Sequence, residues 1–200
     1  LDFAREHYSR YGRSVLEDRA FPDFRDGMNP VNRRTLWSAY SLGIRSNSKF
    51  VKSARIVGDV LGRYHPHSDQ AAYGAMVKMT NVNGVVSNIP IGLFEGEGNW
   101  GSLSNSAAAA MRYTEARLSK FSDEVLFNKF YMPVVRMIPN FDSSTVEPLI
   151  LPALLPLVLL NGRFGIAPGA TTNIPKLEPD GVFDVLRAAF KGEELTPKFL

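Results

Sequence analysis

The sequence predicts an α+β fold, and two observations carry that prediction. Apolar residues recur at helical spacing through much of residues 3–79. Residues 81–106 and 138–175 are instead rich in Asn, Gly, Ser and Pro around short apolar pieces, which is typical of short strands joined by turns. A chain with both kinds of sequence pattern contains helices and small sheets together.

Helices are predicted before residue 80 at 3–18, at 31–43, at 51–62 and from Pro66 to about Met79. Gly62 suits the C-terminus of a helix, and Pro66 suits the first turn of the next one. Two short helices separated by a tight turn are typical of a helix-turn-helix, whose second helix usually enters the major groove.

The rest of the chain divides into three parts. Residues 81–106 suit the small strands and loops of a wing. Residues 114–130 predict a further helix with Thr114 as its N-cap. Strands and turns are expected up to Pro175, followed by an amphipathic helix over 180–190, and a boundary between two domains is expected near 131–145.

Composition excludes several classes of protein. The 200 residues include no Cys, which rules out a disulfide framework, a thiolate zinc site and a cysteine nucleophile, and fits a reducing compartment such as the cytoplasm. The longest apolar run, Leu149 to Leu160, is interrupted by two prolines and is too short to span a bilayer, so no membrane partner is expected. Because the chain begins with Leu, we expect it to be part of a longer protein.

The net charge of +3 is unevenly distributed. Residues 1–90 carry 13 basic and 8 acidic residues, whereas residues 91–200 carry 10 and 12. A basic block beside a nearly neutral one is the composition of a protein that meets a polyanion with one face. The alternative is a solvated surface that happens to be rich in Arg.

Arg112 and Tyr113 form a candidate nucleophilic site. A tyrosine hydroxyl, with a pKa near 10, is a poor nucleophile unless its anion is stabilised, and an adjacent arginine is a permanent cation that also holds phosphate oxygens. The plain alternative is a buried tyrosine beside a surface arginine. Gly, Ser and Ala before this pair let the backbone approach another molecule closely.

Two further groups of residues suit phosphate. His65 and His67 flank Pro66, and without a third ligand nearby a metal site is less favoured than contact with phosphate or an ordinary surface role. Arg33 and Arg34 lie in the basic block and suit phosphate contacts, the alternative being solvated side chains.

Four long segments carry a resemblance to a known family. They are DRAFPDFRDGMNPVNRR (18–34), KSARIVGDVLGRYHPHSDQAAYGAMVKM (52–79), GNWGSLSNSAAAAMRYTEARLSK (98–120) and LLNGRFGIAPGATTNIP (159–175). In order and spacing they resemble the breakage-reunion domain of type IIA topoisomerase A subunits, the DNA gyrase and topoisomerase IV family. The resemblance implies a winged-helix domain over residues 1–135 and the truncated beginning of an α/β tower domain over 136–200.

The resemblance also implies catalytic roles. Tyr113 falls on the tyrosine that attacks a DNA phosphodiester and forms a 5′-phosphotyrosyl bond, which leaves a 3′-hydroxyl and conserves bond energy for resealing. Arg112 falls on the arginine that stabilises the transition state, and Arg19 on another active-site arginine. Ile166 falls on the isoleucine that wedges between bases and bends the duplex.

A DNA-contact set follows from the same resemblance and from the basic block. Its members are Arg25, Arg33, Arg34, Lys52, His65, His67, Ser68 and Ile166. The implied partners are double-stranded DNA, the B subunit of the enzyme, and a second copy of the A subunit. Mg²⁺ and ATP are expected on that B subunit, and neither on this chain alone.

Two residues depart from those that members of this family usually carry. Gln70 and Gly74 stand where bacterial members carry Ser and an acidic residue. Those two positions anchor the water–metal bridge of fluoroquinolone drugs, so weak drug sensitivity is expected.

Two other functions are alternatives to this interpretation. A non-enzymatic helix-turn-helix DNA binder leaves Arg112 and Tyr113 unexplained. A tyrosine recombinase uses similar residue types but forms a 3′ linkage and lacks these segments.

Overall fold

The computed structural model describes residues 7, 10–12, 16, 21–82, 91–101, 107–167 and 170–193. Its elements from residue 30 onwards are α1 (Pro30–Ser41), β1 (Val51–Lys52), α2 (Ser53–Arg63), α3 (Asp69–Met79), β2 (Thr80–Val82), β3 (Phe94–Glu97), β4 (Glu115–Leu118), a π-helical turn (Ser122–Leu126), a 3₁₀ turn (Met132–Val134), β5 (Met137–Pro139), β6 (Val146–Pro148), α4 (Leu157–Asn161), β7 (Arg163–Ala167), β8 (Ala170–Ile174) and α5 (Pro179–Lys191). This mixture of helices and sheets confirms the predicted α+β class. The helix predicted at 3–18 falls mostly on residues outside the described ranges.

Helix α1 begins at Pro30 because proline has no N–H to leave unsatisfied in a first turn and its φ is already helical. Its inner face, with Leu36 and Ala39 fully buried, packs against α2 and α3. The helix ends where Gly43 adopts a φ of +73°, a left-handed conformation that glycine takes without steric cost.

Helices α2 and α3 confirm the predicted pair but not its boundaries. The α2 helix starts at Ser53, two residues late, because Val51 pairs with β4 as part of a strand. The α3 helix starts at Asp69, so the prediction that Pro66 opens it is wrong. The backbone N–H of His67 instead donates to the carbonyl of His65 at 2.7 Å, which makes a bend between the helices.

A four-stranded sheet in the order β1-β4-β3-β2 packs with these helices around the core. Strand β4 is antiparallel to both neighbours, whereas β3 and β2 run parallel. At Gly96 a Cβ would lie within 2.7 Å of both Trp100 and Thr80, so glycine there lets the indole close over the sheet. Among the described residues no helix is both long enough and apolar enough to cross a bilayer.

The helix predicted at 114–130 is wrong over its first part, which forms β4. Ala116 and Leu118 are buried and alternate with Glu115 and Arg117, so the apolar period is two rather than 3.6. Arg117 pairs across the sheet with Glu95 at 2.8 Å. Thr114 is accordingly no N-cap, and helical geometry returns only at residues 120–126.

The C-terminal part consists of two hairpins and two helices. Strands β5 and β6 pair antiparallel, as do β7 and β8, with the five-residue helix α4 between the hairpins and α5 after them. Hydrogen bonds join this part to the helices before it, since Trp37 Nε1 donates to the Val146 carbonyl (3.0 Å) and Asn140 Nδ2 to the Arg63 carbonyl (2.6 Å). The predicted boundary between residues 135 and 136 stays a prediction.

Asp26 is a buried carboxylate that joins three parts of the chain. Its oxygens accept from the Arg33 guanidinium (2.5 and 3.0 Å) and from the backbone N–H of Leu151 (3.0 Å). The next residue, Gly27, has a φ of +67°, and a Cβ there would lie 2.5 Å from the backbone nitrogen of Val158. The loop before α1 is thereby fixed to helix α4 at close range.

We expect Asp26→Ala to lower the free energy of unfolding by about 3–5 kcal/mol, the usual cost of removing one partner of a buried ion pair. The Arg33 side chain is 11% exposed and would lose its carboxylate partner. The measurement is urea unfolding followed by the fluorescence of the two tryptophans. Asp23→Ala is the matched control, because its partner Arg25 is exposed and water compensates the loss. Equal effects of the two variants would contradict this role for Asp26.

Candidate functional site

Tyr113 lies in a turn directly before β4, with its side chain 64% exposed. The exposed position differs from the buried tyrosine that typical burial would give. The guanidinium carbon of Arg112 lies 4.8 Å from the centre of the Tyr113 ring, within cation–π distance. The phenol is therefore open to a large substrate and has a permanent positive charge beside it.

The turn that carries Tyr113 is held by the N-terminus of α2. The backbone N–H of Ser53 donates to the Thr114 carbonyl (3.0 Å), and that of Ala54 to the Met111 carbonyl (3.2 Å). The first N–H groups of a helix have no partner within the helix, and no side chain caps α2. The turn that carries Tyr113 acts as that cap, so the exposed tyrosine has a rigid base.

A chain of hydrogen-bonded hydroxyl groups also fixes this turn. The Thr114 hydroxyl lies 2.8 Å from both the Ser53 hydroxyl and the Tyr73 phenol, which itself donates to the Ala109 carbonyl at 2.6 Å. Since each hydroxyl has one hydrogen, the donors must run from Ser53 to Thr114, then to Tyr73, then to Ala109. Burial raises the pKa of Tyr73 above its ordinary value of 10.0, and the Thr114 hydrogen bond opposes that shift.

A second group of predicted residues gathers around Glu147. The Arg34 guanidinium makes a two-pronged ion pair with the Glu147 carboxylate, with a shortest distance of 2.8 Å, and Arg34 Nη1 lies 3.1 Å from His65 Nδ1. Arginine can only donate, so Nδ1 accepts and the ring proton lies on Nε2. The His65 and His67 rings meet edge to face at 4.6 Å. Arg34, His65 and His67 thus line one small cavity of about 330 Å³.

The remaining predicted residues lie apart from one another. Arg33 is buried against Asp26, which favours a structural role over contact with a ligand. Arg25 is exposed and pairs with Asp23 at 2.7 Å, and Lys52 pairs with Glu115 at 2.7 Å. Ser68 is exposed immediately before α3. Arg19 lies outside the described residues.

A cleft of about 1460 Å³ separates helix α3 and the segment 107–112 from the β7–β8 hairpin. Arg112 and Ile166 both line it, so two of the predicted site residues face one space. Ile166 is 59% exposed, one residue before the end of β7. Gln70 and Gly74 of α3 line the same cleft.

Sequence interpretation did not single out Arg163, which fixes the base of this hairpin. Its Nε donates to the Gly27 carbonyl at 2.5 Å, and burial lowers its pKa to about 10, so it stays charged at neutral pH. Neither Arg163 nor the Thr114 hydroxyl chain leaves a local signal in the sequence, because each joins segments that are distant along the chain.

The described residues contain no group of three His, Cys, Asp or Glu side chains close enough to hold a metal ion. Two such side chains, His65 and His67, lie together, but the Nδ1 atom of His65 already accepts a hydrogen bond from Arg34.

An exposed tyrosine lies beside an arginine, and this arginine lines one cleft together with an apolar residue near the tip of a hairpin. Such features are found where proteins contact nucleic acids. Comparison with known proteins defines the class further. The family model for the A subunit of DNA gyrase/topoisomerase IV matches residues 19–199, and the chain belongs to this family.

Individual relatives agree with that assignment. The chain is 46% identical to the DNA gyrase A subunit of Helicobacter pylori over 181 residues, covering 90% of this chain and 21% of that protein. It is 44% identical over 193 residues to the chloroplastic/mitochondrial DNA gyrase A subunit of Arabidopsis thaliana, covering 96% of this chain and 20% of that protein. It is also 44% identical over 195 residues to the DNA gyrase A subunit of Synechocystis, covering 98% of this chain and 22% of that protein. The chain spans about a fifth of the length of these curated relatives.

We expect Thr114→Val to lower the free energy of unfolding by about 1–3 kcal/mol, the cost of leaving buried polar groups unsatisfied. Valine keeps the shape of threonine but breaks the hydroxyl chain between Ser53 and Tyr73. Urea unfolding measures the change, and Thr114→Ser, which keeps the hydroxyl, is expected to recover most of the loss. A valine variant as stable as the parent would show that the chain does not hold the tyrosine turn.

Proposed function

We propose that the chain is the DNA-cleaving part of the A subunit of an ATP-hydrolysing type II DNA topoisomerase, with Tyr113 as the nucleophile. The supporting observation is the exposed Tyr113 phenol beside Arg112, on a turn held by the N-terminus of α2. In the reaction the phenol oxygen bonds to phosphorus, and the bond from phosphorus to the 3′ oxygen breaks. The phenol proton leaves to solvent or a base, and the departing oxygen takes up a proton as a 3′-hydroxyl. The reverse reaction reseals the strand after a second duplex has passed.

Arg112 has an electrostatic role in this proposal. Negative charge grows on the phosphate oxygens as the phenol attacks, and a guanidinium beside the ring stabilises it without needing to move far. Arg19 is assigned the same kind of role by resemblance alone.

The DNA-contact set separates into two proposed groups. Arg25, Lys52, His67 and Ser68 are exposed and suit direct contact with phosphates, whereas Arg34 and His65 reach DNA through the small cavity beside Glu147. Arg33 is assigned to holding Asp26 instead. Ile166 enters the duplex and unstacks a base step.

Partners and cofactors follow from the proposed reaction. Each active site cuts one strand, so a homodimer of A subunits cuts a duplex. We assign Mg²⁺ and ATP to a B subunit, as the resemblance to the A subunits of this family implies. Mg²⁺ neutralises the charge that develops in phosphoryl transfer. The cytoplasm of a bacterium, or of a host cell for a viral protein, is the proposed location.

The test of the nucleophile uses the full-length A subunit with its B subunit, Mg²⁺ and supercoiled DNA, trapped with denaturant. We expect protein attached to 5′ ends, and Tyr113→Phe to abolish attachment while DNA affinity stays within about twofold, since only a hydroxyl is lost. Tyr131→Phe is the matched control, because Tyr131 is an exposed tyrosine that lies outside the turn held by the N-terminus of α2.

Other outcomes overturn the proposal in distinct ways. Attachment at 3′ ends would indicate tyrosine recombinase chemistry. Tight, salt-sensitive DNA binding without any covalent product would indicate a non-enzymatic helix-turn-helix DNA binder.

We also expect weak sensitivity to fluoroquinolones, measured as the drug concentration that traps half of the cleavage complexes. The double change Gln70→Ser and Gly74→Asp is expected to lower that concentration about tenfold, because it adds a hydroxyl and a carboxylate on one side of α3. A Cβ at residue 74 would meet no atom of the described residues within 4 Å, so the new side chain fits. Gln70→Ala with Gly74→Ala is the control that removes the same residues without adding the polar groups. Equal sensitivity of the two double variants would contradict the expectation.

A further inference from the structure

Strand β7 carries two exposed apolar side chains on one face. Phe164 is 55% exposed and Ile166 is 59% exposed, while Gly165 between them is buried. Alternate residues of a strand point to the same side, so both side chains leave β7 in one direction.

Both side chains line the cleft that separates the hairpin from α3. A single exposed apolar residue on a surface needs no explanation, and Phe190, 89% exposed on α5, is one that does not line the cleft. Phe164 differs from Phe190 because it shares a strand face and a cleft with the residue proposed to enter DNA.

The strand holds Phe164 rigidly. It pairs with Asn173 of β8 in an antiparallel ladder that continues through Ile166 and Thr171. The preceding residue, Arg163, is fixed by the Gly27 carbonyl. A side chain on an anchored strand keeps its position when a ligand binds, which suits selective contact.

The spacing of the two side chains matches stacked base pairs. Residues two apart on a strand are separated by about 6.6–6.8 Å. Two steps of B-form DNA rise by about the same distance, since each step rises about 3.4 Å. A strand that runs along the duplex axis therefore places two such side chains against positions two base pairs apart.

We propose that Phe164 and Ile166 form a two-residue apolar ridge, in which Phe164 stacks on a base or sugar about two base pairs from the step that Ile166 opens. The inference rests on the proposed function, because it takes duplex DNA as the occupant of the cleft. Stacking of the Phe164 ring stabilises the complex only where the DNA base step separates at low energetic cost, and that cost depends on the DNA sequence. Phe164 thereby selects which sequences are bent and cut.

The experiment compares the parent, Phe164→Ser and the control Phe190→Ser as full-length A subunits with Mg²⁺ and their B subunit. Sequencing of covalently attached ends from random DNA gives the cleavage preference at each position. Energy transfer between dyes at the ends of an uncut duplex gives the bend, and a titration gives the affinity. Equal thermal midpoints for the three proteins show that neither change unfolds the chain.

We expect Phe164→Ser to flatten the preference about two base pairs from the opened step, to reduce the bend and to weaken binding to the parent's preferred sites at least about fivefold. Phe190→Ser is expected to match the parent. Unchanged preference, bend and affinity in Phe164→Ser would overturn the ridge. If the parent bends DNA but never becomes attached, the proposed cleavage fails, and the bend and affinity of Phe164→Ser still decide on the ridge.

Discussion

The buried carboxylate of Asp26 is the interaction on which the arrangement of the site depends. It fixes Arg33 of α1 and the backbone at Leu151, so the loop before α1 has one position relative to the later hairpins. The adjacent Gly27 carbonyl then accepts from Arg163, the first residue of β7. One short loop therefore sets where the hairpin with Ile166 lies relative to α1. The desolvation of a buried ion pair offsets much of its electrostatic attraction, so the Asp26–Arg33 pair defines the geometry of this loop rather than adding net stability.

Rigid support and exposure are combined in the same way at Tyr113. The Tyr113 side chain is exposed, as the proposed attack on DNA requires, so it contributes little packing to the turn. The position is set instead by backbone bonds to the N-terminus of α2 and by the hydroxyl chain through Thr114. Polar contacts thus hold both elements that line the cleft, the segment 107–112 and the β7–β8 hairpin. In the proposed complex with a duplex, neither element therefore needs much ordering, which reduces the entropy lost on binding.

Sequence patterns predicted the helices that bury a periodic face, and strands and turns over 138–175, because these features are local. They did not predict β4, whose four residues carry a period of two inside a stretch of good helix formers. The candidate role of Tyr113 came from the resemblance rather than from composition. The burial of Arg33 and the support given by Thr114 and Arg163 could not be predicted, since each depends on partners that are distant in the sequence. Long-range polar contacts leave no period in a sequence.

The ion pairs of the structure change what the basic block implies. Three of the cations assigned to DNA contact already have carboxylate partners: Arg25 with Asp23, Arg34 with Glu147 and Lys52 with Glu115. When such a cation moves to a phosphate, the carboxylate left behind attracts a cation from solution. Fewer ions are then released per phosphate contact, and the salt dependence of binding understates the number of contacts. Charge alone therefore supplies less of the affinity than the sequence suggests, and the fit and deformation of the duplex at the hairpin supply more.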